Sequence, residues 1–229
     1  MSNFDELRKN YCKYLFTKQN RDMTPPVFFH EKAIAFCGKN KKKFLSDEHI
    51  QAIYAVLVAW GMNRAGKKGA KMPTYNRFKE SILRNRFCIE TLKDKSITTI
   101  SEDDLKKILP CLTCLCFNIE ATTRSSRIVS GSKTLAHILP DLVCPIDNRY
   151  TLTFFQKEFA KKESEESKFQ HIIKKMWEFY QDEEIKKNIQ TDGVFAHSLP
   201  KIFDNLIISY RQEQIENELT NLKSTKSKL

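Results

Sequence analysis

Wherever apolar residues gather in this 229-residue chain, they recur three and four positions apart rather than two. Phe169, Ile172, Ile173, Met176, Trp177 and Tyr180 form one such series. Leu199, Ile202, Phe203, Leu206, Ile207 and Tyr210 form another, with Ser198 placed to cap it. Phe4, Leu7, Tyr11 and Leu15 mark a first amphipathic helix, and Leu152, Phe155 and Phe159 mark a further one. After the cap Ser46-Asp47-Glu48, residues Ile50, Ile53, Tyr54, Leu57 and Val58 make one stripe, while Ala52, Ala55, Val56 and Ala59 make the other sides apolar. A helix greasy on most faces belongs at the centre of a fold; this one stops at Trp60-Gly61-Met62-Asn63. Tyr75 to Phe87 reads as another helix, and Ser101-Glu-Asp-Asp104 as a capping box ahead of Leu105, Ile108 and Leu109, closed or kinked by Pro110. Alternating strand patterns are absent, and six glycines are too few for a barrel rich in tight turns. The spacing predicts an all-α protein.

With 41 % hydrophobic residues the chain can bury a core. It reads as a single all-α unit over 1–229, with two helical lobes sharing a cleft: roughly 1–65 with 150–216, and roughly 66–149. The Lys/Ser/Thr-rich tail, 217–229, is expected to fray. Thr24-Pro25-Pro26 reads as the end of a helix and the start of an extended link, and Lys39 to Lys43 as a solvated basic loop. The formal net charge of +11 points to polyanionic partners, nucleic acid first. No apolar run approaches the length of roughly 18 residues that a spanning helix needs, so no membrane is expected. Met-Ser-Asn-Phe-Asp-Glu lacks a basic-then-apolar signal. The expected location is the cytoplasm or nucleoid, or the nucleus in a eukaryote, without secretion. Seven cysteines then read as reduced thiols. Cys111-Leu-Thr-Cys114-Leu-Cys116 invites a zinc reading, but four ligands are needed and Leu112, Leu115 and Phe117 interleave as core residues do. Neither metal nor cofactor is expected.

Chemistry concentrates between Arg124 and Tyr150. Ser130-Gly131-Ser132 reads as a turn ahead of a helix whose first N–H groups are unsatisfied, a ready anion site that Arg127 would assist. Lys133 falls in the first turn of that helix, where the positive dipole end disfavours a further positive charge and so favours the neutral, nucleophilic amine. Leu135, Ile138 and Leu139 bury the helix, and Pro140 ends it. Asp147, 14 residues after Lys133, opens the next helix at Asn148-Arg149-Tyr150. Taken alone, Asp147 reads as a helix cap and Lys133 as a ligand for phosphate or water. Together they place an amine and a carboxylate at neighbouring helix starts. Upstream, Arg64-Ala-Gly-Lys67-Lys68-Gly-Ala-Lys71-Met-Pro73 is a basic loop hinged by Gly66 and Gly69, either a clamp for a nucleic-acid backbone or an ordinary surface loop.

In these residues the sequence resembles the helix-hairpin-helix DNA glycosylase superfamily, which includes endonuclease III and 8-oxoguanine DNA glycosylase. There a hairpin of the type Leu-Pro-Gly-Val-Gly-x-Lys-Thr-Ala is followed by a helix, an apolar residue and a catalytic Asp that opens the next helix. Val129-Ser-Gly131-Ser-Lys133-Thr-Leu-Ala136 stands in the hairpin position and Pro145-Ile146-Asp147 in the Asp position. The first glycine of the hairpin is Val129 here, its Leu-Pro is Arg127-Ile128, and the crossing from Lys to Asp is shorter. The resemblance covers roughly residues 45–160, with a specific part of about 20 residues. It implies a helix-hairpin-helix element near 125–150 and a base-excision enzyme acting on double-stranded DNA with a damaged or modified base. It further implies that Asp147 stabilises charge developing on the sugar while Lys133 attacks C1′, giving lyase activity. Ser130, Gly131, Ser132, Arg127, Lys67 and Lys68 would hold phosphates. Asn63 would be the wedge inserted into DNA, with Trp60 a candidate pocket wall; Phe154, Phe155 and Trp177 are further candidates by type.

Two other classes fit the same composition. One is a helical DNA-binding module without chemistry, in which Asp147 is only a cap. The other is a helical protein-interaction protein whose charge serves solubility. His137 reads as a core or wall residue, His197 as lacking an evident partner, and His30 and His49 as carrying no motif.

Overall fold

The computed structural model describes residues 2–15, 25–38, 41–63, 71–189 and 197–226. Among them the regular structure is entirely helical. Lys67, Lys68 and the rest of 64–70 lie outside the described residues.

Local chemistry sets most helix starts. Ser2 and Asp5 form a capping box that opens α1 (Asn3–Lys9). The first amphipathic series then breaks at Asn10, whose side chain bonds back to the Glu6 carbonyl at 3.1 Å, and resumes as α2 (Tyr11–Leu15). The expected extended link at Pro25-Pro26 is instead the first turn of α3 (Pro25–Ala35). A proline is favourable there, because its missing N–H would have no partner in any case. Ser46 caps α4 (Asp47–Ala59) through the His49 N–H. The series from Tyr75 divides into α5 (Tyr75–Arg84) and α6 (Arg86–Leu92) at Asn85.

Ser101 and Asp104 open α7 (Glu102–Asn118), which runs through Pro110 and carries the cysteine cluster rather than stopping before it. Pro110 lies on the solvent side with Lys106 and Lys107, where water can take the carbonyl it orphans. Then follow α8 (Ile128–Ile138) and a single π-turn, Asn148–Leu152. The helix expected over Leu152–Phe159 does not form. Phe154 and Phe155 are both buried. Last come α9 (Glu165–Tyr180), α10 (Glu183–Asn188) and α11 (Leu199–Lys226). The tail expected to fray from residue 217 continues α11 as far as Lys226, with no Gly or Pro to interrupt it, and 227–229 lie outside the described residues.

Buried side chains from Phe4 to Tyr210 form one contiguous cluster. Helix α8 sits deep within it, packed on α3, α4, α7 and α9. Gly131 permits a close approach to α7: a Cβ there would stand 1.9 Å from the Cys116 carbonyl oxygen. No helix among the described residues is long and apolar enough to cross a membrane.

Candidate active site: the Lys133–Asp147 pair

The two residues singled out by sequence meet. Lys133 Nζ lies 3.2 Å from Asp147 Oδ2, and the side chains are 12 % and 33 % exposed, so the pair is sheltered yet open to solvent. Asp147 serves as cap and partner at once. Its Oδ1 accepts the N–H groups of Arg149 at 2.7 Å and Tyr150 at 3.3 Å, which leaves Oδ2 to the amine. The Asp147 N–H in turn donates to Thr151 Oγ1 at 3.3 Å. Lys133 Nζ also stands over the Trp60 ring, 5.6 Å from its centroid. Trp60 follows the last residue of α4, where Gly61, at φ 76°, turns the chain sharply. Asn63 is exposed three residues further on.

The anion cradle takes a different form from the one expected. Helix α8 begins at Ile128, so Ser130, Gly131 and Ser132 lie inside it, and all three are buried. No hairpin turn occurs there, and Lys133 is the sixth residue of the helix rather than a member of its first turn. The dipole argument for its reactivity therefore lapses, because that effect fades beyond the first turn. The hydroxyls are committed within the protein: Ser130 donates to the Arg127 carbonyl at 3.1 Å, and Ser132 to that of Val129 at 3.2 Å. Ser132 Oγ also accepts the Ile146 N–H at 3.0 Å. The true start of α8 already holds an anion, the Glu165 carboxylate, bonded to the N–H groups of Arg127 at 2.8 Å and Ile128 at 3.2 Å and to the Ser126 hydroxyl at 2.5 Å. Arg127 points its guanidinium at the Phe117 carbonyl, 2.6 Å away near the end of α7. Ser130, Gly131 and Ser132 are thus buried within α8, and Arg127 ties the start of α8 to the end of α7.

A buried histidine cluster, which carries no sequence motif, backs the pair. His49 Nδ1 accepts the Leu45 N–H at 3.1 Å, so its Nε2–H donates to the His137 carbonyl at 3.3 Å. His137 Nδ1–H donates to the Lys133 carbonyl at 2.7 Å, which leaves Nε2 to accept the His30 Nδ1–H at 2.9 Å. Both rings touch Trp60: His30 lies nearly parallel at 5.9 Å, and His137 meets it edge-on at 4.8 Å. Burial holds all three imidazoles neutral, lowering His49 and His137 to about 4 and His30 to about 2, with His137 next in effect on His30. Of these, only His137 was legible as a neighbour of Lys133, four positions along one helix face.

His197 does have partners: the Glu31 carboxylate at 3.6 Å and the His30 ring at 6.0 Å. Phe154 and Phe155 are core residues, and Trp177 donates its indole N–H to the Ile100 carbonyl. Within the cysteine cluster, Cys114 is exposed, Cys111 half-buried and Cys116 buried against α8. No family model, no curated protein and no solved structure matches this chain.

Proposed function

We propose that the protein is a base-excision enzyme for double-stranded DNA, an N-glycosylase with AP-lyase activity. One observation carries the reading: a sheltered but solvent-open amine, Lys133, held 3.2 Å from a carboxylate that is itself fixed by backbone N–H groups. In the proposed reaction the N-glycosidic bond breaks and its electron pair leaves with the base. Asp147 stabilises the positive charge on the sugar. Lys133, once it has given up a proton, bonds to C1′; ring opening gives a Schiff base, and β-elimination cuts the strand. The net charge of +11 supports a polyanionic partner. With the start of α8 filled by Glu165, backbone contacts are assigned to other cationic surface groups, Arg149 beside the pair being the nearest in sequence.

Borohydride trapping tests the proposal. The full chain is incubated with duplex DNA carrying a damaged base or an abasic site, and a covalent adduct is expected that Lys133→Gln abolishes. An adduct that survives this substitution removes Lys133 as the nucleophile. Salt-sensitive binding without adduct or base release would instead assign a non-catalytic DNA-binding module.

A further inference from the structure

We propose that Trp60 is the face on which the cationic form of Lys133 is held through the reaction, the covalent iminium included. The proposal rests on the reading of Lys133 as nucleophile. Among the described residues the amine stands against two groups of opposite kind, the Asp147 carboxylate at 3.2 Å and the Trp60 indole at 5.6 Å. The indole is a fixed platform, since it packs on His30 and His137 and both of these are buried and neutral. Neither histidine therefore sets a competing charge against the ring.

The chemistry explains why a π-face suits this position. When the Lys133 amine condenses with the C1′ aldehyde of an abasic site, a C–N bond forms, the carbonyl oxygen leaves as water, and the positive charge stays on the same nitrogen. That nitrogen remains tethered beside Trp60. A second carboxylate in this place would also attract the cation, but it could remove a proton from it or add to it. An aromatic face attracts a cation while being neither base nor nucleophile. Asp147 is then free to act on the sugar.

The test uses the full chain with Trp60→Leu and Trp60→Phe, a duplex bearing a preformed abasic site, and borohydride trapping at saturating protein, with DNA affinity measured separately. Trp60→Leu is expected to trap about tenfold more slowly at unchanged affinity, and Trp60→Phe to recover most of the rate. Wild-type speed in Trp60→Leu overturns the proposal. So does a Phe variant as slow as the Leu variant, which would mean packing, or a slowdown matched by lost affinity, which would mean that Trp60 grips DNA. A second measurement needs no activity. In a Trp177→Phe background Trp60 is the sole tryptophan, since the chain has two. Its emission is expected to shift when Lys133→Gln removes the amine from the ring face. An emission that Lys133→Gln leaves unchanged overturns the cradle even where no adduct forms. A missing wild-type adduct with the emission shift present overturns only the nucleophile reading.

Discussion

Ser132 and Ile146 are joined by one bond, the serine hydroxyl accepting the isoleucine N–H at 3.0 Å in a fully buried setting, and that bond fixes where Asp147 stands against Lys133. The chain between them loops out through Pro140 and Pro145 and returns to α8 at this point. Ser132→Ala leaves the Ile146 N–H buried without its acceptor. Unfolding stability in urea is expected to drop by about 1–3 kcal/mol, and trapping to fall with it. Full stability with full trapping would mean that the register is set elsewhere.

Gly131→Ala is expected to be among the most damaging single-methyl changes in the chain. The new Cβ would meet the Cys116 carbonyl at 1.9 Å and the carbonyl carbon and Sγ at 2.8 Å. Backbone cannot swing aside as a side chain can, so α7 and α8 must separate, at a cost of about 3 kcal/mol. Because the nearest atom is backbone, Cys116→Ala should not rescue the variant; a melting temperature restored by the double change would disprove this account.

Acid should destabilise the protein earlier than its carboxylates alone would cause. His49 and His137 are lowered to about 4 and His30 to about 2, against an ordinary value of 6.5. Below pH 6.5 the unfolded chain takes protons that the folded chain refuses. Their contribution is thus complete above 6.5 and is lost as pH falls toward 4, with His30 continuing the loss to lower pH. Each histidine adds a slope of about 1.4 kcal/mol per pH unit. Lowered carboxylates such as Asp47 and Glu120 act below about pH 4.5, so the interval from 6.5 to 5 reports the histidines. His49→Gln should cut the slope of stability against pH in that interval by about a third, and an unchanged slope refutes the assignment.

Asp147 joins two duties that substitution can separate. Asparagine is as good a helix cap as aspartate, so Asp147→Asn should keep the melting temperature within a few degrees while removing the charge beside Lys133. Base release is expected to slow by about a hundredfold. If Asp147→Asn releases base at the wild-type rate, the carboxylate is only a cap.

Much of the architecture was written in local sequence. The 3.6-residue spacing through Phe169–Tyr180 and Leu199–Tyr210, and the caps at Ser46, Ser101 and Asp147, act within a few residues of themselves, so the sequence alone determined an all-helical chain and marked Lys133 and Asp147. What surrounds that pair was decided by contacts across long stretches of chain. Glu165 reaches back 37 residues to fill the start of α8, and His30 crosses 107 residues to bond His137. The Ser130-Gly131-Ser132 run looked like an exposed turn because small polar residues favour turns. In the folded protein it is buried helix, because only a glycine there lets α8 rest on the backbone of α7, and close packing of two helices outweighs a local preference worth about 1 kcal/mol.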